Sequence, residues 1–160
     1  VTGKAGTKQY RETVTRYSEN LTDELSINFT GGYRDDEGTR RVQDWRRVPK
    51  ATGRLKYQLS DNSAVQFFAG FNESEIGLEL SLFTPRTKAN VRNNYQMLRL
   101  EHQFSETSQF HFQIYRDSYE IHSSDKVVDV EEDKYDLELQ HSFNVGEQNH
   151  FVWGVNYRST

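Results

Sequence analysis

Cysteine is absent from this 160-residue chain, and proline occurs only twice. Without cysteine there is no disulfide framework and no thiolate metal site, and the redox compartment stays open. No stretch approaches the ~20 apolar residues that a membrane helix needs, so any membrane crossing has to be made by strands. No signal-type segment opens at Val1, as expected of a mature chain or of an internal piece of a longer one. There is no basic block either. Twenty Lys and Arg are spread among twenty-four Asp and Glu for a formal charge of −4, which speaks against nucleic acid as a partner. Gly-x-Ser-x-Gly elbows, phosphate loops and dinucleotide fingerprints are missing too, so neither an enzyme nor a cofactor is expected.

What is present is aromatic. Ten Phe, nine Tyr and two Trp make up 13% of a chain whose hydrophobic fraction is only 34%. A mean hydropathy of −0.91 alone would suggest disorder, but disordered segments are depleted in aromatics. A polar, aromatic-rich, proline-poor chain fits many strands that each keep one wet face.

A unit of strand, tight polar turn, strand and long polar loop recurs with a period near forty. Leu21, Leu59, Phe104 and Phe143 anchor the turns at intervals of 38, 45 and 39 residues. Three anchors precede Ser or Thr and then Asp or Glu, side chains that bond nearby backbone and favour reversals. The fourth turn has Gly146, which tolerates positive φ. Around the turns apolar residues alternate, as half-buried strands require. Leu25, Ile27, Phe29 and Tyr33 share one face, as do Val65, Phe67 and Phe71, Tyr135 to Phe143, and Phe151, Trp153, Val155 and Tyr157.

The expected fold is all-β: a single antiparallel up-and-down meander of about eight strands over residues 1–160. Tight turns fall near 20–24, 60–63, 105–108 and 144–149, and long loops near 34–50, 72–92 and 117–132. The first strand is expected near Lys8 to Tyr17. Short turns at one end and long loops at the other are the habit of transmembrane barrels. A soluble eight-stranded barrel that closes on itself and binds a small apolar ligand is the alternative. It would turn the same stripe inward.

The hairpin Ala51-Thr-Gly-Arg-Leu-Lys-Tyr-Gln-Leu-Ser-Asp61, the strand Tyr135-Asp-Leu-Glu-Leu-Gln-His-Ser-Phe143 and the following His150-Phe-Val-Trp-Gly-Val-Asn-Tyr-Arg158 resemble the barrel region of TonB-dependent outer-membrane receptors. The likeness runs from about Leu21 onward and is one of hairpin style. It implies a segment of a Gram-negative outer-membrane receptor taking up a scarce nutrient such as a ferric siderophore. A TonB-type energy-coupling protein would act through a plug domain that this chain does not show, and lipid would surround the wall. Such a piece is expected to close on itself or to self-associate through its open edges.

In this setting Arg40, Arg41, Trp45, Arg46 and Arg47 are the candidate ligand-binding residues. Guanidinium forks and an indole face suit an anionic or aromatic ligand such as a metal chelate. The acidic run from Asp129 to Asp133 reads as a solvated loop. The five histidines form no short pair, so no metal site is expected. His102 and His141, each two residues before an anchor Phe, are expected at an interface where amphipathic rings are comfortable.

Overall fold

In the computed structural model, which describes residues 1–6, 10–38, 45–78, 87–146 and 148–160, the chain forms one antiparallel sheet. Its strands are β1 (Thr2–Ala5), β2 (Arg11–Asn20), β3 (Leu25–Asp36), β4 (Arg46–Ser60), β5 (Ser63–Leu78), β6 (Thr87–Ser105), β7 (Ser108–Ser123), β8 (Asp129–Val145) and β9 (Asn149–Ser159). Each pairs only with its sequence neighbours, so the sheet is a meander with a free edge at β1–β2 and another at β9. It does not close into a small barrel. The short turns after β2, β4, β6 and β8 share one end. In the first, the Thr22 hydroxyl accepts from the amides of Glu24 and Leu25, and in the last Gly146 has φ +68°.

The expected antiparallel meander is observed, with nine strands among the described residues, because the four-residue β1 precedes a first hairpin strand that begins at Arg11. The strands β4 to β8 are also 15 to 19 residues long, and they run through most of the stretches expected to be loops. The acidic run is likewise strand: Asp129 to Asp133 pair with β7.

The register tilts the strands. One line of paired residues runs Val14, Gly32, Lys50, Asn72, Asn93, Tyr119, Glu132. It starts six residues before the end of β2 at Asn20 and finishes thirteen before the end of β8 at Val145. The turns therefore slip by about one residue per strand. With spacings of ~3.3 Å along and ~4.8 Å between strands, that is a tilt of roughly 35–40°.

Among the described residues there is no conventional core. Of eight buried non-glycine residues among those described, seven (Ala64, Gln66, Ser74, Thr87, Ala89, Ser123 and Asp136) lie on one face, here called inner; Ser118 lies on the other. The outer face carries the large apolar side chains, and they are uncovered: Phe67 is 43% exposed while its neighbour Gln66 is 5% exposed. Hydrophobic burial is therefore not what holds this sheet together in isolation.

Close packing between strands shows at the glycines. A Cβ on Gly154 would sit 2.8 Å from the Leu139 carbonyl oxygen, whereas one on Gly53 would meet nothing within 4 Å. Gly154→Ala should push β9 off β8 and cost about 1–3 kcal/mol, the usual range for overpacking. Gly53→Ala should be neutral or slightly stabilising. Urea unfolding of the two variants, with hydrogen exchange of the β9 amides, measures the difference.

Candidate functional site

Near the tight turns, the outer face is an apolar band. Across β3 to β9 it is built by Ile27, Leu55, Phe67, Leu98, Ile114, Leu137 and Tyr157, which stand opposite one another in sequence order. Its lower margin is aromatic: His141 lies against Phe143, Trp153 and Phe104 at ring separations of 5.0, 5.9 and 5.8 Å. The Ser63 and Ser108 hydroxyls lie 2.7 and 2.9 Å from ring nitrogens of His102 and His141. Small residues Ala51, Gly53 and Ala69 leave an open depression of about 500 Å³ in the band, walled by Phe29, Leu55, Phe67 and Phe71.

Behind the band, the inner face is a polar belt. Arg54 Nη2 donates to Gln66 Oε1 (2.6 Å), and Gln66 Nε2 donates to Glu101 Oε2 (3.0 Å). Arg99 stands 3.7 Å from Glu101, and His111 3.3 Å from Glu138. At β9, Arg158 Nε and Asn156 Nδ2 both donate to the buried Asp136 carboxylate (2.8 and 2.7 Å). These bonds let most of the charged groups sit at half-burial with partners, although the buried Arg99 Nε has none.

Toward the long-loop end, the two faces exchange character. The outer face becomes a string of ion pairs: Arg47 with Asp35 and Glu75 (3.9 and 3.6 Å), Lys88 with Glu75 (3.4 Å), and Arg92 with Glu73 and Glu120 (both 3.3 Å). At that height the inner face turns apolar over β6 to β8, while Arg34, Asp36 and Arg46 keep it charged on β3 and β4. Val91, Ile121 and Val130 stand opposite one another on β6, β7 and β8, flanked by Ile76 and Val48. Below them lie Tyr119, Tyr95 and the row Phe68, Met97, Tyr115, and the Tyr95 and Tyr115 rings are 6.3 Å apart. Tyr95 lies over Gly70, where an added Cβ would come 2.6 Å from the ring.

Of the expected ligand cluster, only Trp45, Arg46 and Arg47 are among the described residues. Arg40 and Arg41 lie outside the described residues. Trp45 is flanked by its own cations, with the Arg47 guanidinium 5.5 Å and the Lys88 ammonium 5.4 Å from the ring centroid. It shares a hollow of about 420 Å³ with Asp35, Asp36 and Glu37. Arg46 and Arg47 are successive strand residues and so take opposite faces, Arg46 inner and Arg47 outer. The Asp36 carboxyl is held below its ordinary range by Arg34, which donates to it at 2.8 Å, then by the Gly38 amide, with Arg46 adding to the effect. In the β7–β8 connection the Ser123 hydroxyl and then the Val127 amide lower the Asp125 carboxyl in the same way.

Sequence reasoning anticipated a polar face opposite the apolar one but missed the inner apolar patch. The patch residues were hidden in segments read as loops; the signal that could have found them is the alternation of Ile76, Val91, Ile121 and Val130 with charged neighbours. Among the described residues no group of three or more His, Asp or Glu is placed to hold a metal ion. No protein-family model matches the chain, and no curated protein matches it either.

Proposed function

We propose that this chain forms wall strands of an outer-membrane β-barrel of the TonB-dependent receptor kind, which binds a scarce nutrient and passes it inward without making or breaking a bond. The observation that carries the reading is the uncovered apolar band backed by a polar inner belt. The band runs from Val65 to Phe71 on β5 and from Tyr135 to Phe143 on β8, ending sooner on β7 at Arg116; nine residues along strands tilted at roughly 35–40° rise about 24 Å, close to the ~25 Å apolar zone of such barrels. The aromatic margin around His141 and Trp153 suits a membrane–water interface. The receptor identity, the siderophore-like cargo, and the plug and energy-coupling partner come from the hairpin resemblance. A soluble barrel with its apolar stripe inside would place Phe67 and Leu98 in the crowded face, and they stand on the other.

The test is the mass of the purified chain by light scattering with and without mild detergent, together with flotation on lipid vesicles. Detergent-dependent solubility and co-flotation are expected. A stable monomer in plain buffer that ignores vesicles would overturn the reading.

A further inference from the structure

A wall that only has to face lipid needs no hollow, yet the outer band has one. Ala51, Gly53 and Ala69 floor it, and Phe29, Phe67 and Phe71 rise around it. Its β6 side is of another kind. Asn94 and Gln96 line it there, opposite Phe71 and Ala69, at a height where β4 and β5 still turn only apolar side chains outward. We propose that the hollow seats one acyl chain of an ester-linked membrane lipid, whose carbonyl oxygen accepts from the Asn94 and Gln96 carboxamides. The proposal rests on the membrane-wall reading and deepens it by giving one lipid a fixed place.

Hydrogen bonding and height together select this occupant. Each carboxamide carries two N–H donors. Gln96 Nε2 donates to Asn94 Oδ1 at 3.1 Å, and among the described residues neither side-chain nitrogen makes another hydrogen bond. Beside hydrocarbon the remaining N–H groups need an acceptor, and leaving them without one is costly. The Phe71–Asn94 pair is the last on these strands before Glu73 and Arg92, where the outer ion pairs begin. That is the border between hydrocarbon and headgroups, where a lipid's ester carbonyls lie. The cations above the rim are engaged, Arg92 with Glu73 and Glu120 and Arg116 with Asp133, so the seat recognises the chain and its linkage and not a headgroup charge. A largely apolar hollow with a few placed polar groups is the usual makeup of a small-molecule site, and about 500 Å³ suits one chain.

The experiment reconstitutes the chain in phosphatidylcholine nanodiscs holding a trace of a phosphatidylcholine with a diazirine in one acyl chain. After illumination, labelled peptides are mapped by mass spectrometry. The β4–β5 segment around Gly53 and Ala69 should be labelled about threefold more than Leu137 to Leu139 on β8, which face the same way outside the hollow. Gly53→Leu should bring the two segments level by filling the hollow. A Cβ there meets nothing within 4 Å, so the variant is expected to keep the sheet, and Ala51→Leu is the second filling variant. The nanodiscs are then remade from a diether phosphatidylcholine, which lacks the carbonyls. Hollow labelling should rise about threefold as the ester photolipid meets weaker competition. Asn94→Leu combined with Gln96→Leu should abolish that rise. Circular dichroism of each variant reports whether the sheet is retained.

Even labelling of β4–β5 and β8, indifference to both filling variants, or equal labelling in the ester and ether backgrounds overturns the proposal. So does a change in oligomeric state with Gly53→Leu, which would assign the hollow to contact between copies. Vesicle flotation of the same preparation keeps the two readings apart. A chain that inserts without preferential labelling sinks the lipid seat alone, whereas a chain that does not float sinks the membrane wall on which the seat rests.

Discussion

Phe67→Arg should lower the stability of the folded chain in a bilayer by about 2–4 kcal/mol, the cost of a guanidinium near the midplane of a barrel's lipid face. Phe67 sits midway up the band between Leu55 and Leu98 and is 43% exposed, so the substitution meets no packed core. Its cost comes from the surrounding medium. In plain buffer the same change should be nearly neutral or should improve solubility, since it replaces an uncovered ring with a charge. Gln140→Arg, on the inner polar belt, is the matched control and should be tolerated in both media. Urea unfolding in lipid and in buffer reads the contrast. Equal and large losses in both would mean that Phe67 is packed against protein, as a soluble barrel would have it.

Gln66→Leu should cost about 1–3 kcal/mol, although it places an apolar side chain at a 5% exposed position where hydrophobic burial alone would favour it. Gln66 is a relay: its carbonyl accepts from Arg54 and its amide donates to Glu101. Leucine can do neither, so Arg54 keeps only its approach to the Phe68 ring, at 5.1 Å, and Glu101 keeps only Arg99. A stranded half-buried charge loses more than the added methyls gain. Gln66→Glu should retain the link to Arg54 while setting two carboxylates against each other, and should therefore recover part of the loss as Glu101 is replaced by Gln. A double-mutant cycle over Gln66 and Glu101 measures the coupling. Additive effects would mean that the relay contributes nothing.

The half of each strand near the tight turns was legible in the sequence because its alternation is simple: Leu25, Ile27 and Phe29, or Leu137, Leu139 and His141, fall on one face with polar neighbours on the other. Turn chemistry fixed the reversals, and the one-ended placement of the turns followed. The outer half was misread for a physical reason. Between Asn72 and Arg92 the residues that keep outward parity are Glu73, Glu75, Lys88 and Asn90, so the polar set has changed face while the strand continues. A charged outward set looks like a loop to any reading that expects one face to stay apolar throughout. The candidate site was less legible still. The tyrosines Tyr95, Tyr115 and Tyr119 are unremarkable in sequence, and only the register brings them beside Ile121 and Val91. The Arg–Trp cluster was conspicuous in sequence, but of its described arginines Arg46 and Arg47 are divided between the two faces by the period of the strand that carries them.

The exchange of apolar and polar faces partway up the sheet also has a mechanical meaning. In a wall that spans a bilayer, as proposed, it would draw a water line across the sheet. Sinking the sheet by two residues would carry Glu73 and Arg92 into hydrocarbon, and raising it by as much would lift the aromatic margin of His141, Phe143 and Trp153 off its interface. Both displacements cost energy, so in a bilayer the wall would ride at one depth whatever happens at its loops.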